Sequence, residues 1–143
     1  MNIVILDANF LLVPSQFRVD IYHEIRMILA GKLQIIVPPE VIEELNRKIE
    51  NKSYLKLKRN ISMALALLNQ YKQQNPEHFL EISKNNTQNE QVDDYLINIA
   101  KHMLEDPNNR VFLATNDKIL RKKASSASIR VIYLRQKKFI EIS

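Results

Sequence analysis

Four short apolar runs constrain this chain more than any other feature: IVIL at 3–6, QIIV at 34–37, VFLA at 111–114 and VIYL at 131–134. Runs of this length without polar alternation mark strands buried on both faces. The segments between them carry apolar residues at helical spacing. Residues 19–30 place Ile21, Ile25, Ile28 and Leu29 together and end at Gly31, a helix stop. Pro38-Pro39 can open a helix, since proline is tolerated in the first turn, and Val41, Ile42, Leu45 and Ile49 mark its apolar face. Residues 53–71 read as a long helix with Leu57, Ile61, Leu65 and Leu68 inward. Residues 92–104 form another, with Leu96, Ile99, Ala100 and Met103 inward, and a last helix runs from Asn116 or Asp117 to about Ala127. Residues 79–82 are a weaker strand, and 139–142 add a candidate edge strand. Strands alternating with helices predict the α/β class: three layers, α/β/α, around a central parallel sheet with right-handed crossovers. Ligands of such sheets bind beyond the carboxyl ends of the strands, where strand order reverses.

Composition narrows the chemistry. A chain of 143 residues is expected to form a single domain, 1–143, with its own core. No apolar run approaches the ~18 residues of a membrane span. No basic region followed by a long apolar stretch opens the chain, so no signal peptide is expected. Without cysteine, disulfides, thiol catalysis and Cys-ligated metal sites are excluded, and a cytoplasmic location is expected. His23, His78 and His102 fit no zinc spacing. One glycine, Gly31, leaves no Gly-rich phosphate loop of either nucleotide-binding type. The most polar stretch, KNNTQNEQ at 84–91, reads as a loop.

The net charge of +5 matters through its placement. Between Lys118 and Lys138 stand Lys118, Arg121, Lys122, Lys123, Arg130, Arg135, Lys137 and Lys138, with no acid among them. A second stretch holds Arg47, Lys48, Lys52, Lys56, Lys58 and Arg59 against Glu50. Such stripes are either a solvated surface or the electrostatic footprint of a nucleic-acid site.

The acids decide between these readings. Asp7 follows the first strand, and Asp117 follows the strand at 111–114. If those strands are neighbours, their backbones lie roughly 4.8 Å apart and both carboxylates enter one crevice. Glu43 and Glu44 lie one turn into the helix after the second strand, and Asp93 and Asp94 begin the helix before the 111–114 strand. Taken singly, Asp7 and Asp117 could be helix caps, Glu43 or Glu44 solvated, and Asp93-Asp94 a complement to the helix dipole. Taken together, they point to one place. Carboxylates about 4 Å apart repel by roughly 1 kcal/mol in water and by several times that in a protein. A hard divalent cation removes that cost, activates water near neutral pH and stabilises charge on a phosphodiester. Basic stripes beside it would hold a polyanion.

The ordered set LDANFLL, VPPEVIEEL, VDDYLINIA and ATNDKILRKKA resembles the PIN-domain ribonuclease family over essentially the whole chain. TNDKILRKKA followed by IRVIYLRQKKFIEI is similar to archaeal stand-alone PIN proteins. These are themselves similar to PIN nucleases of eukaryotic small-subunit ribosome biogenesis and, more distantly, to VapC-type toxins. The resemblance implies a parallel sheet in order 3-2-1-4-5 and endonucleolytic RNA cleavage with Mg²⁺ or Mn²⁺ held by acids. Carried over, those acids are Asp7, Glu44 (followed by Leu45), Asp93 and Asp117, with Glu43 and Asp94 as the less favoured neighbours. Asn9 and Thr115 fall where the family has supporting polar residues. Lys118, Arg121, Lys122, Lys123, Arg135, Lys137 and Lys138 are the candidate RNA-binding residues. The expected substrate is RNA, pre-rRNA among the candidates; PIN relatives often form homodimers. A VapC-like toxin would share the site and add a small antitoxin as partner, whereas an RNA-binding ribosome assembly factor would use the fold without catalysis. A haloacid-dehalogenase phosphatase needs Asp-x-Asp after strand one, and Asp7-Ala8-Asn9 lacks the second acid.

Overall fold

The computed structural model describes residues 1–50, 55–84 and 91–143. Lys52, the expected helix start at Ser53 and most of the polar 84–91 stretch lie outside them. The chain runs β1 (Asn2–Leu6), α1 (Ala8–Leu11), α2 (Val13–Phe17), α3 (Ile21–Ile28), β2 (Leu33–Ile36), α4 (Pro39–Glu50) and α5 (Leu55–Gln74). A 3₁₀ turn at Pro76–His78 leads on to α6 (Val92–Leu104), β3 (Arg110–Ala114), α7 (Lys118–Ser126), β4 (Arg130–Arg135) and β5 (Phe139–Ile142).

The sheet order is β2-β1-β3-β4-β5. The first four strands are parallel, and β5 returns antiparallel on β4. In the sequence count this is the expected order with one change: the strand at 79–82 shrinks to a single parallel bridge, Phe79 with Ile35. Leu80 N–H adds one bond to Ile35 O at 2.9 Å. The 3₁₀ turn holds the chain until Phe79, and beyond Leu80 the side chains are drawn into surface ion pairs, Glu81 with Lys72 and Lys84 with Glu43. The antiparallel β5 makes the sheet mixed, which the short three-residue connection 136–138 after β4 permits.

Burial explains the elements. All five residues of β1 are buried, as are Val111, Phe112, Leu113 and Ala114 of β3, so the two central strands are covered on both faces. Phe112 is fully enclosed; Phe112→Ala would cost about 3–5 kcal/mol through lost transfer energy and the cavity left behind. Most helices bury residues their spacing predicts: Ile21 and Ile25 on α3, Val41 and Leu45 on α4, Ile61 and Leu68 on α5, Leu96 and Ala100 on α6; Ile28, grouped with Ile21 and Ile25 by spacing, is instead 38% exposed at the last turn of α3. Helix α3 is shorter than expected. It starts at the Asp20 cap and ends at Leu29, so Gly31, at φ +100°, serves the turn into β2 rather than the helix end. No described helix is long and apolar enough to cross a membrane.

Candidate active site

The β1–β3 pairing brings the strand ends together. Leu6 lies opposite Ala114, and Asp7 N–H continues the ladder to Ala114 O at 3.1 Å. Asp7 is only 5% exposed. It opens α1, one of two short helices that the apolar stretch at 10–13 concealed, and its Oδ1 accepts from Phe10 N–H at 2.7 Å. Its Oδ2 accepts from the fully buried Thr115 hydroxyl. That hydroxyl in turn accepts from Asp117 N–H at 3.0 Å. Asp117 Oδ1 caps α7 through Ile119 N–H (2.8 Å) and Leu120 N–H (3.3 Å). The cap reading of Asp7 and Asp117 therefore holds, and it fixes where both carboxylates stand.

Electrostatics link the acids. Burial lifts the Asp7 carboxyl to about 7, against the pull of its bonds from Thr115 and Phe10. The negative charges of Asp117 and Glu44 raise it further. Asp93 is also raised, first by burial and then by Asp117, while Lys123 lowers it. Asp117 is thus the carboxylate felt by both Asp7 and Asp93. Glu44 acts on Asp7, whereas Glu43 turns away to Lys84 at 2.7 Å. Asp94 pairs with Lys123 at 3.3 Å. Glu44 also has Lys48 at 3.8 Å, one turn along α4.

Among the described residues, no three His, Cys, Asp or Glu side chains stand close enough to grip a metal ion without adjustment. The donor chemistry nevertheless suits a hard cation. Asp7, Glu44, Asp93 and Asp117 offer carboxylate oxygens, and a cation would favour the charged forms of Asp7 and Asp93, which burial first and neighbouring carboxylates second disfavour. Asn9 is exposed on α1, at the rim of a groove that also touches Asp117.

The candidate RNA-binding residues divide. Lys118 and Lys122 are exposed and share a groove with Arg121, whose guanidinium lies 4.1 Å from the Tyr133 ring centre. Lys137 and Lys138 stand exposed at the β4–β5 turn. Lys123 is held by Asp94, and Arg135 makes two bonds, 2.9 and 3.1 Å, to Glu141. Glu141 also accepts from Tyr133 O–H at 2.8 Å. Asn116, in the sequence only a possible helix start, has a positioning role: its Oδ1 accepts from Leu134 N–H at 2.8 Å, tying the acid-bearing loop to β4. Its place between Thr115 and Asp117, just after a strand, was the available signal.

Ribonuclease VapC4 of Methanocaldococcus jannaschii is 30% identical over 140 residues, covering 97% of this chain and 95% of that protein. The structure of the PIN domain endonuclease Utp24 superposes with a TM-score of 0.68 at 19% identity, over 99% of this chain and 90% of that one. A domain of a functionally unknown protein from Methanocaldococcus jannaschii superposes at 0.63 and 15% identity, over 94% and 92%. The family description "PIN like domain" matches residues 4–137. The chain belongs to the PIN-like domain family.

Proposed function

We propose that the chain is a cytoplasmic endoribonuclease that hydrolyses RNA phosphodiester bonds with Mg²⁺ or Mn²⁺. The observation that carries this reading is the electrostatic linkage of acids from four segments at the carboxyl end of β1 and β3. Family membership and the likeness to a VapC ribonuclease support it.

Asp7, Asp93 and Asp117 would hold the ion, with Glu44 at the edge of the set. When bound, Mg²⁺ or Mn²⁺ supplies Lewis-acid polarisation of the phosphodiester and activation of the attacking water. The protein does the positioning. Thr115 and the Phe10 N–H each hold one oxygen of Asp7 and so orient its carboxylate. Glu44 orients the water and takes its proton at a carboxylate oxygen. Lys118, Arg121 and Lys122, beside the α7 N-terminus, hold flanking phosphates. Attack by water, rather than by the ribose 2′-hydroxyl, leaves a 5′-phosphate and a 3′-hydroxyl.

The test is cleavage of an end-labelled, structured RNA by wild type and Asp7→Asn, with Mg²⁺ or Mn²⁺ and with a chelator. Cleavage that needs the ion and is lost in Asp7→Asn supports the reading. Metal-independent products ending in 2′,3′-cyclic phosphate would sink it. The biological role we favour is processing of ribosomal RNA precursors. A second reading, a toxin neutralised by a small antitoxin, is favoured by the VapC4 likeness. Growth arrest on expression of wild type, absent with Asp7→Asn, would select the toxin.

A further inference from the structure

We propose that the groove beside Asp117 is a base-binding subsite, which holds one unpaired nucleobase, adenine by preference, next to the scissile phosphate. This rests on the nuclease reading above and adds a substrate preference to it.

The groove has a volume of about 560 Å³, enough for a nucleotide, and converges from three separate parts of the chain. The α1–α2 segment supplies Asn9, Gln16 and Phe17; the loop after β3 supplies Asp117; the β4–β5 turn supplies Gln136 and Lys137. Of the groove's four carboxamides, Asn9, Gln16 and Gln136 are exposed to solvent, and Asn116 is half-buried with its Oδ1 taken by Leu134 N–H. A carboxamide offers a donor and an acceptor side by side. That pair matches the N6 amine and N7 of adenine, the edge that Asn and Gln read in a bidentate manner. The half-buried Phe17 adds a ring on which an unpaired base can stack. Lys137 gives a cation for the adjoining phosphate. Carboxamides, a ring and a cation around a carboxylate suit a nucleotide.

The walls are fixed rather than loose. Gln136 and Lys137 are the two central residues of the hairpin turn, both left-handed at φ +54° and +58°. Lys138 N–H closes the turn on Arg135 O at 3.1 Å. Leu134, at the groove wall, has its N–H held by Asn116 Oδ1. On the opposite side, the Ser15 hydroxyl donates to Asn60 O at 2.8 Å, pinning α2 to α5 beside Gln16. The amides of Gln16 and Gln136 therefore face one groove from rigid supports.

The experiment measures the affinity of labelled A, C, G and U oligoribonucleotides for the full chain carrying Asp7→Asn, alone and with Gln16→Ala or Gln136→Ala. Both glutamines are exposed, so the fold survives their truncation, which circular dichroism would verify. The expected result is about tenfold tighter binding of the A oligomer than of U or C, falling to near parity in either variant. Lys137→Gln should weaken all four oligomers alike. Equal affinity for all four bases, a preference unmoved by Gln16→Ala and Gln136→Ala, or no binding at all would each overturn the proposal. Cleavage-site mapping with otherwise wild-type protein separates the two readings. Cleavage with the same base preference in wild type and both variants overturns the subsite and leaves the nuclease. Adenine-selective binding without metal-dependent cleavage leaves the subsite and overturns the nuclease.

Discussion

The Thr115 hydroxyl joins two acids from opposite ends of the chain: it donates to Asp7 Oδ2 and accepts from Asp117 N–H. Both bonds lie at a position with no solvent exposure. Thr115→Val keeps the shape and removes both, leaving a buried carboxylate oxygen and an amide unpaired. The expected loss is about 1–3 kcal/mol of stability, with RNA cleavage falling alongside. Thr115→Ser should restore most of both. Urea midpoints and cleavage rates for the two variants check this; a valine variant as stable and active as wild type would remove Thr115 from the account.

The Asp7 carboxyl, raised to about 7, ties stability to pH. A folded-state value above the unfolded one means that the native protein holds the proton more tightly. The associated stability is present at acidic pH and is lost as pH rises from about 4 through about 7. A shift of this size corresponds to something on the order of 4 kcal/mol. In chelator, therefore, this group makes wild type less stable at pH 8 than at pH 5. Asp7→Asn should flatten that slope and be the more stable protein at pH 8. Adding Mg²⁺ or Mn²⁺ at pH 8 should raise the wild-type melting temperature and leave Asp7→Asn nearly unmoved. Thermal melts across this pH range, with and without the ion, read out all three effects.

Salt should distinguish free cations from paired ones. Lys118 and Lys122 are exposed on α7, Lys118 directly after Asp117, whereas Lys123 is held by Asp94 and Arg135 by Glu141. Each phosphate contact to a single strand contributes about −0.7 to the slope of log affinity against log salt. Lys118→Gln or Lys122→Gln should each lower the slope by about that amount. Lys123→Gln and Arg135→Gln should change it little. Equal effects from all four would mean that the ion pairs open to receive RNA.

The central strands were visible because burial on both faces leaves an unbroken apolar run, and neighbouring β1 and β3 follow once Asp7 and Asp117 are required to meet. Helices α1 and α2 were hidden, because an apolar stretch at 10–13 carries no period that separates two four- or five-residue helices. Adjacent acids were ambiguous for a different reason. Glu43 and Glu44 point about 100° apart on one helix, and what tells them apart is a partner 41 positions away, Lys84, which pairs with Glu43. The same holds for Lys123 and Arg135: both looked free until the fold brought Asp94 and Glu141 to them.

The β4–β5 turn gives the last prediction. A β-turn with both central residues at positive φ favours Asn-Gly, because a Cβ in that region clashes with the following carbonyl. Here Gln136 and Lys137 occupy those positions. The sequence gives up local stability at a place where the two side chains line the groove beside Asp117. The double substitution Gln136→Asn and Lys137→Gly should therefore stabilise the protein by about 1 kcal/mol or more. A higher urea midpoint with unchanged denaturant slope would show it. The same variant should bind oligoribonucleotides more weakly, because it shortens one carboxamide and removes one cation. Stability gained together with binding lost would mean that the strained pair is kept for RNA. Stability unchanged would mean that β4–β5 pairing alone sets the turn and that its residues are free to vary.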